Sequence, residues 1–269
     1  MYKLIAIDMD GTLLDGDKVI SERNKRAIEQ ARSAGVTVVL ASGRPYEGMQ
    51  DYLAELNMDS SQDYVLCYNA AKIMNLGTGE VIREILTTGK DAKQLAKLAR
   101  QHGCNFHAFS SIMGLIAEKD SHYTQHEASI NGLDITLQSF DDLDDDHPIV
   151  KTMLVDPPEI LELAIAALPP KMYQDFSIVR SAPFFLEFGN PEGNKGAGVK
   201  ALAEHLGIKQ SEVMCIGDAG NDHDMLKYAG LGVAMQNADD ATKALANAIT
   251  DTNNNSGVGQ AIEKYVLAK

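Results

Sequence analysis

Two aspartates, Asp8 and Asp10, stand two residues apart where the first apolar run of the chain ends. In an extended chain, residues i and i+2 project to the same side, so both carboxylates would share one small space. Like charges repel there unless a cation or a proton intervenes. The dipeptide Asp10-Gly11 is also a strong turn signal, but a turn leaves Asp8 unexplained. The pair therefore indicates either a functional site or a plain turn.

Two further polar clusters follow apolar strands of the sequence. The segment Ser42–Pro45 comes directly after the run Val36–Ala41, and Asp218 with Asp222 comes after Val213–Gly217. Parallel strands carry their carboxyl ends on one edge of a sheet, and open α/β folds bind ligands at that edge. Clusters that are far apart in the sequence are therefore expected to meet in space.

Together these residues predict the chemistry of phosphoryl transfer. The four carboxylates of the first and third clusters, placed in one crevice, suit Mg²⁺, which prefers oxygen ligands. Ser42 and the Gly43 amide offer neutral donors to a phosphate, and Lys195 adds a positive charge at a helix start. A carboxylate nucleophile, a second carboxyl group, a hard cation, a hydroxyl and a lysine are the parts of a reaction through an aspartyl-phosphate.

The order of elements predicts an α/β fold, a Rossmann-like doubly wound parallel sheet with an inserted α+β domain. Strands and helices alternate in the N-terminal third, which is typical of a parallel sheet covered by helices. A helix from about Lys195, followed by further strands and a last helix ending near Lys269, resumes this alternation. The residues between could form a second small domain. The predicted domains are 1–83 with 188–269, and 84–187.

Composition limits the possible partners and location of the protein. The formal net charge of −14 argues against nucleic acid, and an anionic substrate would need local positive charge or a metal. Three cysteines inside apolar runs indicate reduced thiols in a cytoplasmic protein. Because Asp8 and Asp10 interrupt the early apolar run, no signal peptide is expected, and no apolar stretch is long enough to span a bilayer. No protein partner is implied, and the oligomeric state stays open.

Four motifs of the chain resemble those of the haloacid dehalogenase-like superfamily, and within it the Cof-type, YidA-like sugar phosphatases. They are DMDGTLL, ASGRP, NKG and GDAGNDHDML, which occur in the family's order and extend the resemblance over essentially the whole chain. The resemblance implies a catalytic core whose long insert is an α/β cap of type IIB. One departure lies at Asn69-Ala70-Ala71, where relatives commonly have Asn-Gly-Ala.

The resemblance implies a role for each motif residue in a Mg²⁺-dependent phosphatase of small phosphorylated metabolites, with sugar phosphates as the expected substrates. Asp8 would be the nucleophile, and Asp10 would protonate the leaving group and then activate water. Mg²⁺ would be held by Asp8, the main-chain carbonyl of Asp10 and Asp218, with Asp222 in support. Lys195 would act in catalysis and in phosphate binding. The remaining residues expected to bind phosphate or substrate are Met9 (through its N–H), Ser42, Gly43, Arg44 and Asn221.

Several alternatives stay open at this stage. A phosphomutase could pass the same phosphoryl group to a sugar hydroxyl, and the substrate could be a non-sugar phosphomonoester such as a cofactor phosphate. The segment Gly196–Ala201 matches the G-x-G-x-x-A pattern of dinucleotide-binding folds but lacks their strand–turn–helix context. A receiver-type switch also uses an acceptor aspartate, but after a mid-domain strand. His122 and His126 stand four apart, as metal ligands can, yet without an evident third ligand they are expected to be a surface pair.

Overall fold

The computed structural model describes residues 1–268, so the predicted end of the last helix near Lys269 lies outside the described part. The chain forms two compact units, one of Met1–Glu84 with the segment from Asn194 onward, and one of Ile85–Gly193. The second predicted boundary, 187/188, falls inside a strand, Phe185–Gly189. The ladder of that strand continues to Gly189, and the inserted unit ends at Gly193, six residues further than the sequence suggested.

The helices and strands follow one another in three groups. The first part of unit 1 contains β1 (Leu4–Ile7), α1 (Glu22–Ser33), β2 (Thr37–Ala41), α2 (Gln50–Glu55), β3 (Tyr64–Cys67), β4 (Lys72–Asn75) and β5 (Val81–Glu84). Unit 2 contains β6 (Thr87–Thr88), α3 (Gly89–His102), β7 (Asn105–Ser110), β8 (Gly114–Ala117), α4 (His122–Asn131), β9 (Ile135–Leu137), β10 (Pro148–Val155), α5 (Pro158–Ala166), α6 (Met172–Asp175), β11 (Ser177–Ala182) and β12 (Phe185–Gly189). The second part of unit 1 contains α7 (Lys195–His205), β13 (Val213–Gly217), α8 (His223–Tyr228), β14 (Leu231–Ala234), α9 (Asp240–Leu245), β15 (Ala248–Ile249) and α10 (Gly257–Ile262).

Unit 1 is built on one sheet with the strand order β15-β14-β13-β1-β2-β3-β4-β5. The first six strands in this order run parallel, and β3, β4 and β5 pair antiparallel. Strand β1 lies between β13 and β2, with Ile7 in register with Ile216 on one side and Leu40 on the other. The predicted α/β fold with a parallel sheet core is confirmed. The three polar clusters thus follow the carboxyl ends of three adjacent strands.

Short-range sequence signals set the ends of the helices in this unit. Ser21 caps α1, as predicted, because its side chain accepts a hydrogen bond from the Asn24 amide. Asn194 does the same for α7 and accepts from the Ala197 amide. Every residue of β1 is buried, as expected for a central strand with helices on both faces.

Unit 2 is an α+β structure with its own sheet in the order β11-β12-β10-β7-β8-β9, and β6 also pairs with β10. Leu95 of α3 and Leu161 of α5 share one buried cluster with Phe188 of β12, so these helices cover one face of the sheet. Within residues 1–268, no helix is long and apolar enough to cross a membrane.

Candidate active site

One lysine and two carboxylates form a buried cluster of charges in unit 1. Lys195, the first residue of α7, is completely buried, and its ammonium donates a hydrogen bond to Asp8 and another of 2.7 Å to Asp222. Asp8 follows β1, whereas Asp222 lies just before α8. A buried ammonium requires such carboxylate partners, because an unpaired charge would cost several kcal/mol to desolvate. The structure therefore brings together the first, third and fourth motifs.

Asp222 also fixes the turn that carries Asp218. Its second oxygen accepts hydrogen bonds from the main-chain amides of Asp218 (2.9 Å) and Ala219 (3.0 Å). Thr12 donates to Asp218 over 2.6 Å, which ties the first motif to the fourth. Gly11 is required beside it, because its φ is +86° and a Cβ there would lie 2.5 Å from an Asp218 oxygen.

Three carboxylates of this cluster are placed as a cation site would need them. Asp8, Asp218 and Asp222 each offer an oxygen, and the three oxygens lie within 4.8 Å of one another. Carboxylate oxygens are the donors that Mg²⁺ prefers, so the residues present fit this ion. This is the one group of three or more potential metal ligands found among residues 1–268.

The electrostatics of the cluster reflect an excess of negative charge. Burial raises the pKa of Asp8 well above its usual range, and the neighbouring charge of Asp222 raises it further, against the opposing effect of Lys195. Burial also raises the pKa of Asp218. Burial alone would lower the pKa of Lys195, but the carboxylates of Asp222 and Asp8 outweigh that effect and raise it. A cation placed among these oxygens would relieve the repulsion.

Asp10 lies in a different environment, held by two cations. Arg44 donates to both of its oxygens over 2.8 and 2.7 Å, and Lys18 donates to one of them over 2.8 Å. Arg44 in turn donates to the Gly48 carbonyl over 3.2 Å and lies over the ring of Tyr52. Partial burial is the largest single effect and favours the neutral acid, but the hydrogen bonds and charges of Arg44 and Lys18 together outweigh it and lower the pKa of Asp10 to about 2.

Ser42 and Asn221 are connected through a residue that sequence reasoning assigned no role. Asn221 donates to the Asn69 side chain over 3.0 Å, and the Asn69 amide donates to the Ser42 carbonyl over 2.8 Å. A Cβ on Gly43 would lie 3.3 Å from the Asn69 side chain, so the glycine gives room for this contact. Asn69 thus holds the second and fourth motifs together. The sequence signal that could have drawn attention to Asn69 is its place next to Ala70, where the chain departs from the family pattern.

That departure has a structural consequence at Ala70. Tyr68, Asn69 and Ala70 all have positive φ angles, of 53°, 56° and 67°. Only glycine adopts this region without steric cost, and alanine pays roughly 1–2 kcal/mol. A glycine in place of Ala70 would relax this turn, which lies directly after β3.

The remaining predicted residues are placed as follows. Met9 packs its side chain into the core, so only its main chain could contact a ligand. Ser42 is buried, and its hydroxyl accepts a hydrogen bond from the Arg44 amide over 3.2 Å. His122 and His126 both lie exposed on α4, as expected of a surface pair. Gly196 lies inside α7 rather than in a turn before it, which removes the dinucleotide-binding context.

Comparison with known proteins agrees with this geometry. The family model of haloacid dehalogenase-like hydrolases matches residues 5–262. The chain belongs to the haloacid dehalogenase-like hydrolase family. It is 42% identical to "Putative phosphatase YxeH" of Bacillus subtilis (strain 168), with all of both chains covered. It is 34% identical to the 5-amino-6-(5-phospho-D-ribitylamino)uracil phosphatase YcsE of the same organism, over 98% of this chain and 96% of the relative.

A solved structure extends the family assignment to the fold. The crystal structure of a haloacid dehalogenase-like hydrolase from Bacteroides thetaiotaomicron superposes with a TM-score of 0.88 at 33% identity, covering 98% of this chain and 99% of that one. The resemblance of the four motifs is thereby confirmed at the level of the family. Within this haloacid dehalogenase-like family, the chain is a phosphatase.

Proposed function

We propose that the protein is a Mg²⁺-dependent phosphatase that hydrolyses small phosphorylated metabolites, with sugar phosphates as substrates, through an aspartyl-phosphate on Asp8. The observation that carries this proposal is the buried cluster in which Lys195 pairs with Asp8 and Asp222. A lysine held without exposure beside a potential nucleophile fixes that carboxylate and adds positive charge where a phosphate would lie.

The reaction would proceed in two balanced steps. An oxygen of Asp8 attacks phosphorus, the bond between phosphorus and the leaving oxygen breaks, and Asp10 supplies the proton that the leaving oxygen needs. Water then attacks phosphorus and gives a proton to Asp10, the bond between phosphorus and the Asp8 oxygen breaks, and inorganic phosphate leaves with Asp8 restored as a carboxylate. The groups expected to hold the phosphate are the Met9 N–H, Ser42, Gly43, Lys195 and Asn221.

The carboxylate cluster would hold the metal. Asp8, the Asp10 main-chain carbonyl and Asp218 are the proposed ligands of Mg²⁺. Asp222 would support them from behind, because both of its oxygens already accept hydrogen bonds from Lys195 and from main-chain amides. When bound, Mg²⁺ supplies positive charge that offsets the charge of the phosphoryl oxygens. Chelator should abolish turnover, and the substitution Asp218→Ala should do the same.

The proposed role of Asp10 requires a rearrangement. Both of its oxygens accept hydrogen bonds from cations, and a pKa of about 2 leaves it without a proton to donate at neutral pH. A phosphate is an equally good partner for a guanidinium, since Arg binds both groups through paired hydrogen bonds. We therefore expect the substrate to draw Arg44 away from Asp10, which frees one carboxylate oxygen.

The proposed substrate class draws on a named relative. The relative YcsE is named for a substrate with a phosphorylated ribityl chain, a polyol phosphate that is chemically related to the sugar phosphates proposed here. A phosphomutase and a phosphatase of non-sugar phosphomonoesters remain the alternatives. Unit 2 is the proposed cap that sets specificity, and the cytoplasm is the proposed location. A screen of purified protein against phosphorylated metabolites, with detection of both free phosphate and isomerised product, separates these possibilities.

The role of Asp10 can be tested with two leaving groups. Sugar alkoxides need a proton on leaving and nitrophenolate does not, and general acid catalysis is typically worth ~10²–10⁴-fold. Asp10→Asn should therefore slow the first step severely with a sugar phosphate and only mildly with p-nitrophenyl phosphate. Rapid mixing of the variant with the nitrophenyl substrate should show a burst of one equivalent and then a stall. An equal loss for both leaving groups would contradict the acid role.

A further inference from the structure

The loop between β1 and α1, residues 8–20, carries Asp10 and Thr12 and is only partly held by its own main chain. Its internal hydrogen bonds include Leu14 N to Met9 O (2.9 Å) and Asp15 N to Val19 O (3.1 Å). Three main-chain groups of this loop are instead bound by asparagine side chains from the C-terminal part of the chain. We call these residues the asparagine bracket: Asn237, Asn253 and Asn254.

Each member of the bracket binds a different loop group. The Asn237 side chain donates to the Gly11 carbonyl over 2.8 Å. The Asn253 side chain donates to the Leu14 carbonyl over 2.9 Å. The Asn254 side chain accepts a hydrogen bond from the main-chain amide of Gly16 over 2.9 Å.

Two members of the bracket, Asn237 and Asn253, are also hydrogen-bonded to each other. The Asn253 amide donates to the Asn237 side-chain oxygen over 3.0 Å, so Asn237 binds the loop through its nitrogen and its neighbour through its oxygen. Asn237 follows β14, whereas Asn253 and Asn254 precede α10. Two segments that are separate in the chain therefore hold one loop in a single network.

The hydrogen bond from Asn237 to the Gly11 carbonyl lies nearest to the residues with proposed catalytic roles. The Gly11 carbonyl belongs to the peptide that joins it to Thr12, and the Thr12 hydroxyl donates to Asp218. Gly11 has a φ of +86° and no side chain. Glycine has the least restricted backbone of all residue types, so local steric contacts do not hold the adjoining peptides in place. A hydrogen bond to the Gly11 carbonyl fixes the orientation of the Gly11–Thr12 peptide, which carries Thr12 and continues the turn that begins at Asp10. Small misplacements of reacting groups can cost 10²-fold in rate.

We infer that the asparagine bracket positions the catalytic loop, with Asn237 orienting the Gly11 peptide and Asn253 and Asn254 holding the loop's outer half. This inference rests on the proposed function, since it assigns the bracket to the placement of Asp10. The bracket residues touch no reacting atom in this scheme and are positioning residues. Asn237 and Asn254 are exposed, and their partners Gly11 and Gly16 are not buried, so water can replace the hydrogen bonds that truncation removes.

The test compares Asn237→Ala and Asn253→Ala with Asn255→Ala in the full-length protein. Asn255 is a matched control, because it is an exposed asparagine of the same segment whose side chain donates to Asp251 over 3.2 Å. With p-nitrophenyl phosphate, each bracket variant should lower kcat about five- to tenfold, as loss of one hydrogen bond predicts, with KM within about twofold. The double variant should lose less than the product of the single losses, because the two residues share a bond.

The isosteric variant Asn237→Asp separates positioning from packing. It keeps the acceptor for the Asn253 amide but replaces the donor to Gly11 with a carboxylate oxygen, so its kcat should be at least as low as that of Asn237→Ala. A kcat within about twofold of wild type for Asn237→Ala, or an equal loss in the Asn255 control, would overturn the inference.

Hydrogen exchange keeps this test independent of the proposed function. Main-chain amides of residues 11–16 should exchange faster in Asn237→Ala and Asn254→Ala than in Asn255→Ala, even if the wild-type protein hydrolyses no phosphate ester. Unchanged exchange in this loop would refute the bracket. Faster exchange with an unchanged kcat in an active enzyme would refute its positioning role while leaving the phosphatase assignment intact.

Discussion

Asp8 and Asp10 lie two residues apart, yet their surroundings are electrostatic opposites. Asp8 forms an inner cluster with Asp222 and Lys195, and all three residues are buried. Asp10, whose side chain is 40% exposed, forms an outer cluster with the two cations Lys18 and Arg44. The pKa of Asp8 is raised and that of Asp10 is lowered to about 2. Identical side chains have thus been given different protonation chemistry by burial and by neighbouring charge.

These different environments let one loop carry two roles. A nucleophile benefits from a rigid, water-poor position, which the Lys195 contact gives to Asp8. A group that moves protons needs access to water and to partners it can release, which the outer cluster gives to Asp10. Pairs of carboxylates whose pKa values are pushed apart are the usual sign of divided acid–base roles.

Removing the inner carboxylate should have the largest effect on activity. Asp8→Asn removes the nucleophile, so kcat with p-nitrophenyl phosphate should fall on the order of 10⁴-fold or more, with no burst of product. Steady-state and rapid-mixing assays measure this. Residual turnover above about one per cent of wild type would mean that another group attacks phosphorus.

The same variant should alter how stability depends on pH. Because the folded-state pKa of Asp8 is raised, the folded protein binds this proton more tightly than the unfolded chain does. Stability should therefore fall as the pH rises from the unfolded value of 3.8 through the folded value, and Asp8→Asn should flatten this slope. Urea unfolding at several pH values between 4 and 8 measures the slope. Identical slopes in both proteins would contradict the assigned environment.

Removing the inner cation, Lys195, should lower stability as well as activity. Lys195→Met keeps the side-chain volume but leaves two buried carboxylates facing each other, and breaking a buried ion pair typically costs about 3–5 kcal/mol. The free energy of unfolding from urea titration should fall by that amount. Lys200→Met in the same helix is the control, because Lys200 is 58% exposed and forms a long ion pair of 3.8 Å with Glu204. The free energy of unfolding of this variant should stay within about 0.5 kcal/mol of wild type. Equal stability of the two variants would show that the Lys195 pairing is energetically neutral.

The inner cluster could be predicted from the sequence, and the outer one could not. Asp8 and Asp218 each follow a buried strand, and the parallel order of those strands is enough to bring them to one edge. The bonds from Arg44 to Asp10 connect residues 34 positions apart, and those of the asparagine bracket span more than 200. Such side-chain contacts depend on loop conformations, which no hydrophobic period encodes.

The boundary at the end of the inserted unit failed for a related reason. Glu187, chosen as the last residue of the insert, lies in the middle of β12, where it pairs with Lys151 over 3.1 Å. A charged residue within an apolar run suggests the end of a strand, but here the charge is neutralised across the sheet. The strand therefore continues to Gly189, and the chain leaves the unit only after Gly193.

The smallest expected effect comes from loosening the outer cluster. Lys18→Met removes one of the two cations on Asp10 and leaves the paired hydrogen bonds of Arg44 in place. The pKa of Asp10 should rise from about 2, so its proton becomes easier to supply to a poor leaving group. Because exposed ion pairs are worth at most about 1 kcal/mol, the first-step rate with an alkyl phosphate should increase by no more than about fivefold.

Single-turnover mixing at pH 5 to 6 measures this rate, and p-nitrophenyl phosphate should show a smaller change. Lys3→Met is the matched control, since Lys3 is 57% exposed against 55% for Lys18 and pairs with Glu212 over 2.7 Å. A decrease in the alkyl phosphate rate would mean that Lys18 holds Asp10 in its working position. Lys18 and Arg44 would then serve to orient Asp10 for proton transfer, and their effect of keeping it deprotonated would be secondary. The environments of Asp8 and Asp10 would in that case differ in solvent access alone.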